Sequence, residues 1–208
     1  MPKPAAILDR VEELCSWKAA IVAVDMPLSL MPITGRRVSD NAISRSYGSR
    51  HAGTHTPSDI RPGLISDGLR EGFEMAGYPL CTSSLTVPGL IEVYPHPALI
   101  ELTGATKRLP YKVSKTGSYW PGVALSERRR LLLQVWERIV AQLEPEIGGI
   151  ANELPKITPA SSLVAWKAYE DTLDAVICAW VGIRTLEGRA KAFGDDVSAI
   201  WVPTPNPS

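Results

Sequence analysis

The sequence predicts an α/β fold. Two short apolar runs of strand length, Ala20-Ile21-Val22-Ala23-Val24-Asp25 and Leu90-Ile91-Glu92-Val93-Tyr94, are separated by segments with helical periodicity. Each run ends at a carboxylate followed by a proline-containing turn, Met26-Pro27 in the first and Pro95-His96-Pro97 in the second. Buried strands seldom carry carboxylates without a use, because an unpaired buried charge is costly. Helices between buried strands imply parallel pairing, and such sheets gather their sites at the carboxyl ends of the strands.

Each element follows from a local pattern. Residues 4–16 read as a helix with Ile7, Leu8, Val11, Leu14 and Cys15 on one stripe. The run at 20–25 suits a central strand covered on both faces. Residues 26–62, rich in Pro, Gly, Ser, Arg and His, are too long for an idle loop and are expected to be partly functional or helical. A helix over 63–77, carrying Leu64, Ile65, Leu69, Phe73 and Ala76, stops at Gly77. After the strand at 90–94, Pro97 fits a first helical residue and Gly104 a stop.

Residues 105–122 read as a basic loop with Lys107, Arg108, Tyr111, Lys112 and Lys115. Ser126 is the expected cap of a helix facing inward through Leu132, Trp136, Ile139 and Leu143, and ending near Gly148-Gly149. Arg128, Arg129 and Arg130 open that helix against its dipole, so two of them are expected to reach carboxylates elsewhere. Residues 161–187 form the longest helix, with an apolar stripe through Trp166, Tyr169, Leu173, Val176, Trp180 and Ile183. Ala199-Ile200-Trp201-Val202-Pro203 reads as a short terminal strand, and 203–208 as a frayed, disordered tail.

Composition sets the bounds. The 208 residues make one domain, with 45% hydrophobic and 21% charged residues. Twenty-two basic and 22 acidic residues balance to zero, which argues against a strongly basic non-specific nucleic-acid binder but permits a local basic groove. Cys15, Cys81 and Cys178 are odd in number and far apart, as in reduced thiols of a cytoplasmic protein. The start leads into an amphipathic segment rather than a signal-peptide core, and no run approaches membrane-spanning length. A P-loop, a dinucleotide-binding glycine motif, a serine-hydrolase elbow and paired zinc cysteines are all absent from the sequence.

Asp25 and Glu92 stand at the two strand ends. Asp171 and Asp174, with Glu170, lie three and four apart on the late helix and can share a face. If the fold gathers them, the result is an acidic site suited to a divalent metal. The plainer readings are a turn cap for Asp25, a salt bridge to a loop arginine for Glu92, and a solvated helix face for Asp171 and Asp174. Arg36, Arg37, Arg45 and Arg50 can position phosphates or stand as loop charges, Arg37 beside Asp40. His51 and His55 read as loop histidines, and His96 as a helix cap or rim residue.

The ordered set Val24-Asp25-Met26-Pro27-Leu28-Ser29-Leu30, Arg37 with Asp40 and Arg45, Glu92-Val93-Tyr94-Pro95-His96, Asp171 with Asp174-Ala175, and Ile200-Trp201-Val202-Pro203 resembles a widespread bacterial and archaeal family of unknown function. Members of that family are regarded as nucleases with a ribonuclease-H-like fold. The resemblance runs from about residue 5 to 203, and the Asp174-Ala175 helix is also similar to the last acidic helix of Holliday-junction resolvases.

It implies a ribonuclease-H-like mixed sheet with flanking helices, in which 20–25 and 90–94 are the fourth and fifth strands. Asp25, Glu92 and Asp174 then match metal-site positions, Asp171 is a further catalytic candidate, and Arg37, Arg45 and Lys112 are substrate-binding candidates. The implied cofactor is Mg²⁺ or Mn²⁺, and the implied reaction is two-metal hydrolysis of a nucleic-acid or nucleotide phosphodiester. The alternatives are a degenerate binding or regulatory protein and a phosphohydrolase of small nucleotides.

Relatives begin with a Gly-Ile-Asp-Gly-like strand in a three-strand hairpin, which this chain lacks ahead of residue 20. The sequence therefore carries three further expectations: an incomplete sheet edge beside 20–25, either a homodimer through that edge or a less stable fragment of a longer gene product, and weak or no nuclease activity of the 208-residue form.

Overall fold

A computed structural model describes residues 3–205. Helix α1 (Pro4–Cys15) opens on a proline whose missing amide costs the first turn nothing. Strand β1 (Ile21–Val24) follows, and the loop after it contains helix α2 (Val38–Tyr47). Arg37 and Asp40 close a capping box at the start of α2, which is what organises this Pro- and Gly-rich stretch. Then come α3 (Leu64–Met75), β2 (Gly89–Val93) and α4 (Pro95–Thr103). Pro95, not Pro97, is the first residue of α4, and Gly104 ends it in the left-handed conformation. The basic stretch after α4 holds a short helix α5 (Thr116–Tyr119).

Helix α6 (Leu125–Leu143) starts from Ala124, so Ser126 sits inside the first turn rather than capping it. Its end comes before Gly148-Gly149, because the Glu144 carboxylate accepts from the Gly149 and Ala151 amides and starts the short helix α7 (Ile150–Glu153). Of the three arginines in its first turn, Arg130 pairs with Glu127 of the same helix, while Arg129 donates to the Pro159 carbonyl. The expected two distant carboxylate partners are not found among the described residues.

Helix α8 (Leu163–Leu186) is capped by Ser162, whose Oγ accepts from the Ala165 amide at 3.2 Å. Ser162→Ala is expected to cost about 1 kcal/mol of stability, the usual worth of such a cap. Urea unfolding checks it, and an unchanged midpoint would mean that packing alone fixes this end. Two strands close the chain, β3 (Ala190–Gly194) and β4 (Ala199–Pro203).

The four strands form an open mixed sheet in the order β1-β2-β4-β3. Strands β1 and β2 are parallel, as are β2 and β4, while β3 runs antiparallel to β4. The antiparallel pair arises because the turn after β3 is too short for a crossover. Asp195 Oδ1 accepts the Val197 and Ser198 amides there, and a Cβ at Gly194 would lie 1.9 Å from the Ser198 carbonyl.

Two expectations about the strands are corrected. The run at 20–25 forms an edge strand with half-buried residues rather than a central one, because β4 occupies the far side of β2. A continuous apolar run reads the same in either place. The 199–203 strand is interior and fully buried. Pro203 belongs to it, and the Thr204 amide bonds the Arg189 carbonyl, so 203–205 are held in place. Residues 206–208 of the expected tail lie outside the described residues.

Alternation along the strands sorts the core. Ile91, Val93 and Trp201 face α6 and α8, where Trp136, Trp166, Leu173 and Ile177 are buried. Leu90 faces the other side with Leu28 and Phe73, packed on by Val22 and Val24. Helix α1 contributes only partly buried side chains there, and Leu14 of its expected stripe is 67% exposed. No helix among the described residues is long and apolar enough to cross a membrane.

Candidate functional site

The carboxyl ends of β1 and β2 open on a cleft of about 650 Å³. Asp25, Glu92, Val93 and Tyr94 form its floor, and Thr54, His55, Pro57 and Arg61 from the long loop form one wall. Arg36 holds that wall to α2 by bonding Asn41, Ser44, the Asp40 carbonyl and the Thr54 carbonyl.

The register β1 Val24 to β2 Glu92 places these two side chains on one face of the sheet, and Asp25, the next residue, turns toward α8. Glu92 and Asp25 thus reach the cleft from opposite faces.

On the Glu92 side lies a buried charge network. All five guanidinium hydrogens of Arg37 are used: two go to Asp40, two to Glu92 and one to the Leu28 carbonyl. Glu92 Oε2 also accepts the Leu28 amide at 2.6 Å. Arg37, Asp40 and Glu92 retain 8%, 1% and 3% of their surface, and all three line the cleft from within this network. Burial pushes the Glu92 carboxyl up to about 7 against the pull of the Arg37 fork. The same two carboxylates hold the Arg37 proton more firmly than usual.

On the α8 side, Tyr111 Oη donates to Asp174 Oδ1 at 2.8 Å and Lys112 Nζ to Asp174 Oδ2 at 2.5 Å. Glu170, Asp171 and Asp174 have carboxylate oxygens within 4.8 Å of one another. Lys167 bridges Glu170 and Asp171, and Glu170 also accepts the Val113 amide. Asp171 is solvated, with 60% of its side chain exposed. Arg45 is exposed in the last turn of α2.

Asp25 stands apart from these pairs. It is exposed to the cleft, and no described cation forms an ion pair with it. Crowding by protein on its other sides pushes its carboxyl up to about 6, and the Asp174 charge pushes the same way. Burial also raises Asp174, against the pull of Lys112 and Tyr111.

A folded-state value above the usual 3.8 means that the folded chain holds a proton which the unfolded chain has released. This group therefore favours the folded state at low pH, and the benefit is lost as pH rises through about 6. Carboxyl NMR should show Asp25 titrating near pH 6. The midpoint should fall in Asp174→Asn, and an ordinary midpoint in both chains would refute the coupling.

Of the residues picked out from sequence, the fold therefore brings Asp25, Asp174 and Lys112 into one electrostatic group, and seats Glu92 with Arg37 in another beneath the same cleft. The sequence marks Tyr111 only as part of the basic loop, although its place next to Lys112 puts two donors on one carboxylate. Arg61 and His55 are placed at the cleft by the fold of the long loop, which no short-range pattern encodes.

Residues 74–199, more than half of the chain, match the model of the family described as "Protein of unknown function (DUF429)", and the chain belongs to that family. No curated protein and no solved structure matches it.

Proposed function

We propose that this protein is a metal-dependent hydrolase of phosphodiesters, a nuclease in substrate class, built on a ribonuclease-H-like sheet. The observation that carries the reading is the pair Asp25, at the carboxyl end of β1, and Asp174, on α8, two carboxylates raised by burial, with no cation paired to Asp25 among the described residues. A divalent cation relieves that repulsion, and hard carboxylate oxygens suit Mg²⁺ or Mn²⁺. Asp25 and Asp174 would hold it; Glu92, with its oxygens occupied by Arg37 and the Leu28 amide, fits a positioning role better than a ligand's.

Bound there, the metal supplies activation of water and charge neutralisation at a phosphoryl oxygen. The chain's own residues do the remainder. Arg37 fixes the β1–α2 loop against β2 and so sets the direction of Asp25. Lys112 keeps Asp174 ionised. Arg61 and His55 offer the cleft donors that can orient a phosphate.

The test is cleavage of single- and double-stranded oligonucleotides with added Mn²⁺. Slow, EDTA-sensitive cleavage lost in Asp25→Asn is expected, and cleavage that survives EDTA would contradict the reading.

A second reading, a binding or regulatory protein without chemistry, draws on Lys112, which sits on the Asp174 carboxylate a metal would need. Absence of both Mn²⁺ binding and cleavage would favour it. Strand β1, at the sheet edge among the described residues, supports a homodimer paired through that edge. The three free thiols support a reducing, cytoplasmic setting.

A further inference from the structure

We propose that the cleft takes one unpaired nucleotide, with its base against the apolar walls and its phosphate at Arg61 and His55, next to Asp25. The cleft encloses about 650 Å³, within the range of pockets that bury a small organic ligand. One nucleotide fits that space, and a paired duplex does not. The proposal deepens the hydrolase reading by naming the form in which the substrate enters. It rests on that reading only for placing the phosphate beside a reacting carboxylate, because the cleft itself needs no metal.

The lining divides into two kinds of surface. Met26, Pro27, Pro57, Pro62, Val93 and Ile200 bring apolar groups to it. A bare phosphate or a sugar gains little from such walls, whereas a nucleobase buries its flat faces against them. Tyr94 adds a ring to the floor. Its Oη donates to the Gly53 carbonyl at 3.2 Å, and the His96 ring stands edge-to-face against it at 5.3 Å, so the ring is fixed before any base arrives.

The remaining polar groups suit the rest of a nucleotide. Arg61 and His55 are exposed in the cleft wall, and neither side chain has a hydrogen-bond or ion-pair partner among the described residues. By contrast, Arg36, Arg37, Arg50 and Arg70 are committed to protein partners. Thr56 Oγ1 accepts from Arg36 Nη1 at 3.3 Å, which leaves its hydroxyl hydrogen to donate. A guanidinium, an imidazole and a hydroxyl on one wall match the oxygens of a phosphate and its sugar.

That wall is preformed. Backbone bonds of 2.7 and 3.2 Å close the turn from Ser58 to Arg61, and Ser66 Oγ, in the first turn of α3, donates to the Pro27 carbonyl. Binding then costs little in loop ordering. A base inside a duplex is paired and stacked on both faces, and it must be flipped out to enter such a cleft. A single strand presents its bases at little cost, so the cleft selects unpaired nucleotides.

The experiment is calorimetric titration of the full chain, in EDTA, with adenosine monophosphate, adenosine and inorganic phosphate. The nucleotide should bind saturably and about tenfold or more tighter than either of its parts. Arg61→Ala, at an exposed side chain without a protein partner, should weaken the nucleotide about tenfold and leave adenosine unchanged. Arg130→Ala, at an exposed intrahelical pair, should bind like the parent. A single-stranded adenine tetranucleotide should displace the bound nucleotide, which marks a strand rather than a free nucleotide as the source, and a blunt duplex should not. Absence of saturable nucleotide binding, phosphate binding as tight as the nucleotide's, a duplex that displaces as well as the single strand, or parent-like nucleotide binding by Arg61→Ala overturns the proposal. Nucleotide binding in a chain that takes no Mn²⁺ would sink the hydrolase reading and leave this cleft's role standing, and Mn²⁺ binding without nucleotide binding would do the reverse.

Discussion

Arg37→Ala should lower the unfolding free energy by about 3–5 kcal/mol, the usual cost of removing one partner from a buried ion pair. The loss follows from what remains behind. Asp40 and Glu92 stay buried with no countercharge, and the Leu28 carbonyl loses a donor at 2.7 Å. A domain stable by about 5–15 kcal/mol would surrender a large part of its margin.

Arg37→Lys should recover little, because a lysine cannot present five donors in a planar fork. Arg130→Ala removes an exposed pair and should change stability by under about 0.5 kcal/mol. The pH dependence has a definite sign. Without Arg37 the two carboxylates take up protons in the folded state that the unfolded state releases. The Arg37→Ala variant should then regain part of its stability as pH falls from 7 toward 5, and lose it as pH rises. Urea unfolding at the two pH values reads this directly, and a variant as stable as the parent at pH 7 would refute the network's role.

The second large effect concerns Asp25. Asp25→Asn should weaken Mn²⁺ binding by about tenfold or more, or about 1.4 kcal/mol. The same change should raise the melting temperature at pH 7, because it removes a carboxylate whose folded-state proton affinity is above normal. Gain of stability with loss of binding is the mark of a residue kept for function. Lys112→Ala should act in the opposite direction on the metal. Its Nζ occupies an Asp174 oxygen at 2.5 Å, so its removal frees a ligand and should tighten Mn²⁺ binding, while cleavage falls if Lys112 also meets the substrate.

The parts of this account that could be read from sequence are those with strong local patterns. The run 90–94 is a buried strand, and 161–187 shows a helix by its stripe, because continuous apolarity and a 3.6-residue period each persist over whole elements. Strand β3 has no such pattern: Ala190-Lys191-Ala192-Phe193 is short, low in β-branched residues and bracketed by glycines, and it exists because β4 offers it a ladder. Helix α2 was only faintly visible, since its signal is the Arg37–Asp40 box and not a hydrophobic stripe.

At the site, types and strand ends pointed to Asp25, Glu92 and Asp174 as one set. The sheet separates Glu92 by face, a consequence of a register that no spacing in the sequence reveals.

The most direct test of the central claim is a Mn²⁺ titration followed by electron paramagnetic resonance on the parent chain and on Asp25→Asn, Asp174→Asn and Asp171→Asn. The account predicts a metal site in the parent, lost in the first two variants and kept in the third, where the exposed Asp171 carboxylate is already paired with Lys167. A parent chain that binds no Mn²⁺ at millimolar concentration, or an Asp25→Asn chain that binds it as tightly as the parent, would contradict it.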